Sequence, residues 1–263
     1  MPELPEVEAI ARTARGAVGA SVERVEVIRG SYLKDQQGDL LGRSIVDVRR
    51  RGKLVLFMLD DGRIMQCHNA MSGYWDFADE PWTFDYVEGQ RTATERDVRV
   101  ALSLSNGRLL RFHDARLFGR LKITESIPEL GPEPLGTELL LEGSPVIGKR
   151  EFLKNLRYSL KPIKPLLMDQ RFLAGIGNIY SNEACHASGI DPRWPACSIP
   201  EDQAGILFDA LGCVLSLSIP QVRYDWLAIY RRKKCGTCGG PVTREELAGR
   251  STFSCERCQW EPI

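Results

Sequence analysis

At 263 residues with 43% hydrophobic composition, the chain is long enough to bury sizeable cores in one or two domains. No run approaches the roughly 20 apolar residues of a membrane span, and Glu3, Glu6 and Glu8 stand where a basic signal-peptide start would lie, so a cytoplasmic protein with no membrane partner is expected. Lys+Arg 35 against Asp+Glu 35 leaves no net charge, so nucleic-acid binding has to be argued from local patches.

The chain opens MPELPEVEAI. Methionine removal ahead of so small a second residue would leave Pro2 with a free secondary amine, a potential nucleophile. From Glu6 to Val18, apolar residues Val7, Ile10, Ala11, Ala14 and Val18 recur every three or four positions, and Pro5 suits a first turn, which predicts an amphipathic helix. From Val22 to Thr124 the pattern changes to short β-rich runs, with Asp61-Gly62 and Asn106-Gly107 as hairpin signals between apolar segments. A helix plus β-sandwich or barrel-like domain is therefore expected over residues 1–125. SIPELGPEPLG, with three prolines and two glycines, ends this pattern and reads as a linker, taken as 126–138. KREFLKNLRYSL, IYSNEACHASG and DQAGILFDALGCVLSLSI carry helical periodicity, so a helical domain is expected over 139–222.

The last segment, 223–263, holds four of the eight cysteines. Cys235 and Cys238 are two residues apart, as are Cys255 and Cys258, with sixteen residues between the pairs. This is the spacing of a four-cysteine zinc ribbon, with the intervening residues as a β-hairpin. Two disulfides or free thiols are the alternative, and the cytosolic character argues against it. Four thiolates close the coordination shell, so one structural zinc is expected and chemistry must come from elsewhere. Within LAGIGNIYSNEA, Gly175, Ile176, Gly177 and Asn178 precede a helix, a place where backbone N–H groups can approach phosphate. Taken alone the stretch reads better as a plain turn before a helix, and Lys161 and Lys164 could face the same ligand or simply be solvated, the usual fate of lysine.

MPELPEVE, LGPEPL, KPLLMDQRFLAGIGNIYSNEACHASGIDP and GRSTFSCERCQ, in that order, resemble the formamidopyrimidine-DNA glycosylase and endonuclease VIII family, and more closely its formamidopyrimidine branch. The resemblance spans nearly the whole chain. It implies an α+β multidomain fold: an N-terminal helix and β-sandwich, a helix-two-turn-helix domain and a C-terminal zinc ribbon. It also implies a bifunctional glycosylase and abasic-site lyase of base excision repair, acting on double-stranded DNA with damaged bases or abasic sites, as a monomer. In such an enzyme Pro2 attacks the sugar C1′ and holds it as an iminium ion, leading to β,δ-elimination. Glu3 moves protons at the opened sugar, and Glu6 supports the geometry at the head of the helix. Glu6 also reads as an ordinary helix N-terminal carboxylate.

Carried over residue by residue, Lys53 in RRRGKLVL contacts the phosphate beside the lesion, and His68 lies near the DNA backbone. Met71, Arg116 and Phe118, from HNAMSG and DARLFG, fill the void left by the extruded nucleotide. Lys164 and Asn178 bind phosphate, and Arg250 grips the backbone from the hairpin tip. Without the resemblance, Met71 and Phe118 would read as core and His68 as a satisfied polar residue.

Three departures stand out. The interval SLSIPQVRYDWLAIYRRKK is short and lacks glycine where this branch has a long capping loop, Asn69 and Ala70 replace the more usual leucine and glycine, and Leu117 replaces a frequent arginine. Lesion preference is left open between pyrimidine lesions, ring-opened purines, abasic sites and bulkier adducts. Two rivals use the same residues differently. A non-catalytic binder of damaged DNA has no need of Pro2, and a proline tautomerase leaves the ribbon and the Gly-Ile-Gly-Asn motif idle.

Overall fold

The computed structural model describes residues 1–81, 94–220 and 224–259. The chain divides into two compact units, one of residues 1–129 with 137–143, the other of 130–136 with 144–263. The proline-rich stretch is thus shared: 130–136 belong to the second unit, and the chain then returns to the first, where Leu139 is fully buried.

The first unit begins with helix α1 (Leu4–Ala14), followed by a single 3-10 turn, Arg15–Ala17. Strand β1 (Val22–Val27) and the short helix α2 (Gln37–Leu40) come next. Strands β2 (Ile45–Arg51), β3 (Leu54–Leu59), β4 (Ile64–His68), β5 (Tyr74–Phe77), β6 (Val98–Leu104), β7 (Leu109–His113) and β8 (Arg120–Thr124) complete it. They form two antiparallel four-stranded sheets, ordered β1-β6-β7-β5 and β2-β3-β4-β8. Both expected hairpins are present, β3–β4 and β6–β7, with Gly62 and Gly107 at φ 84 and 80, a left-handed conformation that favours glycine.

Strand alternation sends Val55, Phe57, Met65, Cys67, Leu121 and Ile123 to the interior, against Trp75, Val100, Leu102 and Phe112 of the other sheet. The Trp75 ring meets Phe57 edge-on and Phe112 at a tilt, both at 5.1 Å between centroids. Two sheets closed over an aromatic core make the sandwich. Helix α1 packs against β2, β3 and β5, and a buried ion pair fixes it there. The fully buried Glu8 accepts from Arg50 Nε at 2.8 Å, from Thr137 Oγ1 at 2.7 Å and from the Leu139 N–H at 3.3 Å.

The second unit holds helices α3 (Lys149–Leu156), α4 (Ile163–Leu167), α5 (Asn178–Ala187) and α6 (Glu201–Ser218), then the hairpin of β9 (Thr243–Leu247) and β10 (Arg250–Ser254). Helix α3 stops short of the sequence expectation. Tyr158 and Leu160 are 80% and 84% exposed, so no apolar face remains to bury, and Pro162 disfavours a helical residue before it. Ala248 and Gly249, at φ 51 and 73, close the β9–β10 hairpin with the two left-handed residues of a type I′ turn.

Candidate active site

At the head of α1, Glu3 is the N-cap and Pro5 lies in the first turn. The Glu3 side chain accepts the Glu6 N–H, while Glu6 Oε2 accepts the Glu3 N–H at 2.7 Å, a reciprocal capping box. Pro2, Glu3 and Glu6 are all buried. The box costs each carboxylate one oxygen lone pair and gives it a fixed orientation next to Pro2. Lys53 follows Gly52 in the two-residue turn between β2 and β3 and is 9% exposed. The basic run before it is not a patch: alternation turns Arg50 inward onto Glu8, and Arg49 lies against Asp47 at 2.6 Å.

Two loops carry the expected void-filling residues, 69–73 after β4 and 114–119 after β7. Ala70 and Leu117 adopt left-handed backbone, φ 49 and 60. These are two of the positions at which a departure from the family motif is expected from the sequence, and both loops turn there without glycine. Phe118 is 55% exposed, with the Arg116 guanidinium 5.1 Å from its ring centroid. Met71 is half-buried. An aromatic this exposed contributes nothing to the core, contrary to the reading of Phe118 as a core residue.

Asp114 joins the two loops and was not legible in the sequence. Fully buried, it accepts from Ser72 Oγ at 2.6 Å, the Gly119 N–H at 2.6 Å, the Arg116 N–H at 3.2 Å and Tyr32 Oη at 2.9 Å. Burial, then the bond to Asp114, pushes the Tyr32 hydroxyl well above its ordinary range, so it remains a donor. Asp114→Ala is expected to strand these donors and destabilise the first unit by about 2–3 kcal/mol, with weaker binding to abasic-site DNA. Asp114→Asn, which keeps an acceptor, should lose less. Urea denaturation and fluorescence anisotropy check both.

His68 Nδ1 accepts the Ala70 N–H at 3.1 Å, leaving Nε2 as the protonated nitrogen. Burial first, then the charges of Lys53 and Arg120, hold the imidazole below its usual pKa. At neutral pH it is an uncharged hydrogen-bond donor suited to a phosphate oxygen.

In the second unit Lys164 is fully buried, and its Nζ donates to Asn178 Oδ1 at 2.7 Å and to the Ser251 carbonyl at 3.4 Å. Asn178 Nδ2 donates to the same carbonyl at 3.0 Å. Lys164, Asn178 and the start of β10 therefore form one cluster at the N-terminus of α5, with Arg250 exposed beside it. Gln170 shapes the glycine turn, donating to the Met168 and Ile176 carbonyls and accepting the Gly175 N–H. Lys161 is not in this cluster; it pairs with Asp169 at 2.9 Å. The centre of the shortened interval, 221–223, lies outside the described residues. Its later part is fixed by Glu183, which accepts the N–H groups of Ala228, Ile229 and Tyr230.

The sulfurs of Cys235, Cys238, Cys255 and Cys258 lie within 4.8 Å of one another, with 3.8 Å between Cys235 and Cys258 and 3.5 Å between Cys238 and Cys255. Zn–S bonds of about 2.3 Å require tetrahedral edges of about 3.8 Å, so the quartet fits zinc. The Gly240 N–H, 3.4 Å from Cys238 Sγ, pulls that thiol down to about 7 and favours the thiolate a metal needs. His186 on α5 stands with Nε2 3.1 Å from Cys235 Sγ, both side chains buried. Such outer contacts are worth about 10–100-fold in metal affinity. His186→Phe is expected to lose zinc more readily by that factor in competition with a chromogenic chelator. Unchanged retention would make the contact incidental.

The formamidopyrimidine-DNA glycosylase N-terminal domain matches residues 1–121, its H2TH domain 130–223, and the zinc finger found in FPG and IleRS 232–259. The chain belongs to the formamidopyrimidine-DNA glycosylase family. Relatives of that name from Thermus thermophilus and Pelotomaculum thermopropionicum are 35% and 34% identical, over 99% and 98% of this chain and 99% of each relative. Among solved structures, the Lactococcus lactis glycosylase in complex with abasic-site DNA superposes with TM-score 0.83 at 25% identity, covering 98% of this chain and all of that one. The Thermus thermophilus MutM (FPG) protein does so with TM-score 0.80 at 33% identity over the whole of both chains. The family's fold and its zinc ribbon are those described above. Among the described residues, no helix is long and apolar enough to cross a membrane.

Proposed function

We propose that this protein is a bifunctional DNA glycosylase and abasic-site lyase of base excision repair, acting as a monomer on damaged double-stranded DNA in the cytoplasm. The observation that carries the reading is the capping box, which holds two buried carboxylates in fixed orientation beside Pro2. Once Met1 is removed, the Pro2 lone pair attacks C1′ and the bond from C1′ to the base breaks, the base leaving with the proton given up by the Pro2 nitrogen. A protonated Glu3 gives its proton to the ring oxygen as the sugar opens, and C1′ becomes part of an iminium ion. A secondary amine gives an iminium that carries its charge permanently, which acidifies C2′. Glu3 can then take the C2′ proton as the 3′ phosphate departs, and a second elimination releases the 5′ phosphate. Glu6 acts as a positioning residue, since its carboxylate binds the Glu3 backbone.

His68 and Lys53 supply phosphate donors, and Met71, Arg116 and Phe118 occupy the space the extruded nucleotide vacates. Cys235, Cys238, Cys255 and Cys258 would hold one zinc whose role is to fold the ribbon. Borohydride reduction of the protein mixed with duplex DNA carrying one abasic site tests the reading. A covalent adduct is expected. Its absence from protein with a processed N-terminus and intact DNA affinity would make the chain a binder of damaged DNA.

A further inference from the structure

A cavity of about 890 Å³ lies on the outer face of the β2-β3-β4-β8 sheet, within the first unit and beside the Phe118 loop. Its walls carry Lys34, His68, Arg120 and Lys122, and no acidic residue lines it. In a chain of zero net charge, the three cations Lys34, Arg120 and Lys122 without one carboxylate are a local excess. Several exposed or half-buried arginines elsewhere in this unit lie on acids, such as Arg49 on Asp47, Arg63 on Asp61 and Arg108 on Asp79. Among the described residues, no such pair forms at Lys34, Arg120 or Lys122, all three of which are exposed. The field is felt at His68, which Lys53 and Arg120 help to hold neutral.

The arrangement is set by the sheet. His68 pairs with Arg120 and Gln66 with Lys122 in the β4–β8 register, so these four side chains share one face. Arg120 and Lys122, two positions apart on a strand, are spaced by about 7 Å, a step that matches successive phosphates of a nucleic-acid strand. Lys34 is brought to the same edge by Gln36, which donates to the Ile123 carbonyl and accepts the Ile123 N–H, both at 3.0 Å. On the floor Gln66, 8% exposed, has a side-chain carbonyl oxygen that accepts no hydrogen bond among the described residues. A buried acceptor left so is costly. Inorganic phosphate, an acceptor itself, leaves that oxygen unsatisfied, whereas the amino group of a nucleobase can donate to it.

We propose that this cavity is a second docking station for the DNA strand, in which Lys34, Arg120 and Lys122 hold phosphates beyond the one met by Lys53 and His68, and Gln66 receives a base amino group. The proposal takes its partner from the DNA-glycosylase reading. It adds a stretch of backbone contact that none of the resemblance-derived residues supplies. Contacts of this kind raise affinity without choosing the lesion.

The test measures binding of the full chain to a fluorescent duplex bearing a stable abasic-site analogue, from low to physiological salt. Each neutralised phosphate contributes about 0.9 to the slope of log K against log salt. Lys34→Gln/Arg120→Gln/Lys122→Gln together should make the slope shallower by about 2–3, whereas Arg24→Gln, on an exposed residue of β1, leaves it unchanged. Gln66→Leu should weaken binding at constant slope. Because the triple variant alters only exposed side chains, its thermal midpoint should match the wild type.

A triple variant with the wild-type slope overturns the proposal. So does a slope change that Arg24→Gln reproduces, since that would be bulk charge rather than a site. Borohydride trapping at saturating protein and low salt is run alongside. Loss of the slope with trapping retained supports the station. A wild type that binds but never traps sinks the catalytic reading and leaves the slope comparison intact.

Discussion

Replacing Pro2 by glycine lowers the yield of borohydride-trapped protein–DNA adduct by on the order of a hundredfold or more, equivalent to roughly 2.7 kcal/mol on the barrier, while affinity for abasic-site DNA stays nearly constant. Glycine keeps a terminal amine, so the loss has a chemical cause. A primary amine forms an imine that can shed its proton and go neutral, whereas proline's has no proton to lose and keeps pulling electrons from C2′. Glu3→Gln separates the second role. Its amide oxygen can still accept the Glu6 N–H, so the helix start survives, but it cannot carry a proton. The expected result is an adduct that forms slowly and seldom proceeds to strand cleavage. Intact-mass measurement shows whether Met1 has been removed; protein that retains it should behave like the glycine variant. A terminal amine ordinarily titrates near 7.7–8.0, so trapping should rise from mildly acidic pH toward pH 8 as the neutral form grows. An adduct of wild-type yield from Pro2→Gly would place the nucleophile elsewhere.

Glu8→Ala is the substitution with the largest expected effect on stability. It leaves the fully buried Arg50 guanidinium without the carboxylate that faces it at 2.8 Å. Breaking one side of a buried ion pair costs about 3–5 kcal/mol, which corresponds to a thermal midpoint lower by roughly 10 °C for a domain of this size. Thr137 and the Leu139 N–H lose an acceptor at the same time, so the returning segment 137–143 should become more open to proteolysis. The double variant Glu8→Leu/Arg50→Leu removes both charges and should recover part of the loss, because apolar replacement of a buried pair is often neutral. Calorimetry of the three proteins decides it. A single variant as stable as wild type would show that the pair is not what anchors α1.

Features written in neighbouring residues were legible from the sequence. Helix α1 with proline in its first turn, the hairpins at Asp61-Gly62 and Asn106-Gly107, and the cysteine quartet each declare themselves within short stretches, though the capping box at Glu3 and Glu6 did not. What escaped was long-range pairing. Glu8 meets Arg50 across 42 residues, Tyr32 meets Asp114 across 82, Glu183 reaches Ala228 across 45 and His186 reaches Cys235 across 49. No periodicity encodes such partners; they exist only once the sheets and helices have packed. The run Arg49, Arg50, Arg51 is uniform in the sequence, yet strand alternation sends the middle arginine into the core against Glu8, Arg51 is buried as well, and only Arg49 stays half-buried. His186 likewise sits in an unremarkable helical stretch, and nothing in its surroundings announces a sulfur neighbour.

Helix α5 gives the ribbon its rigidity. Successive turns reach across to it: Asn178 to the Ser251 carbonyl, Asn182 to the Phe253 N–H, Glu183 to the segment leading into the ribbon and His186 to Cys235. The eight residue steps from Asn178 to His186 span about 12 Å of helix, and the ribbon is bolted along that length like a plank to a beam. A hairpin of two five-residue strands is marginal by itself. Fastened at both ends, it can project Arg250 as a stiff arm, so the metal at one end of the beam sets the aim of a side chain at the other.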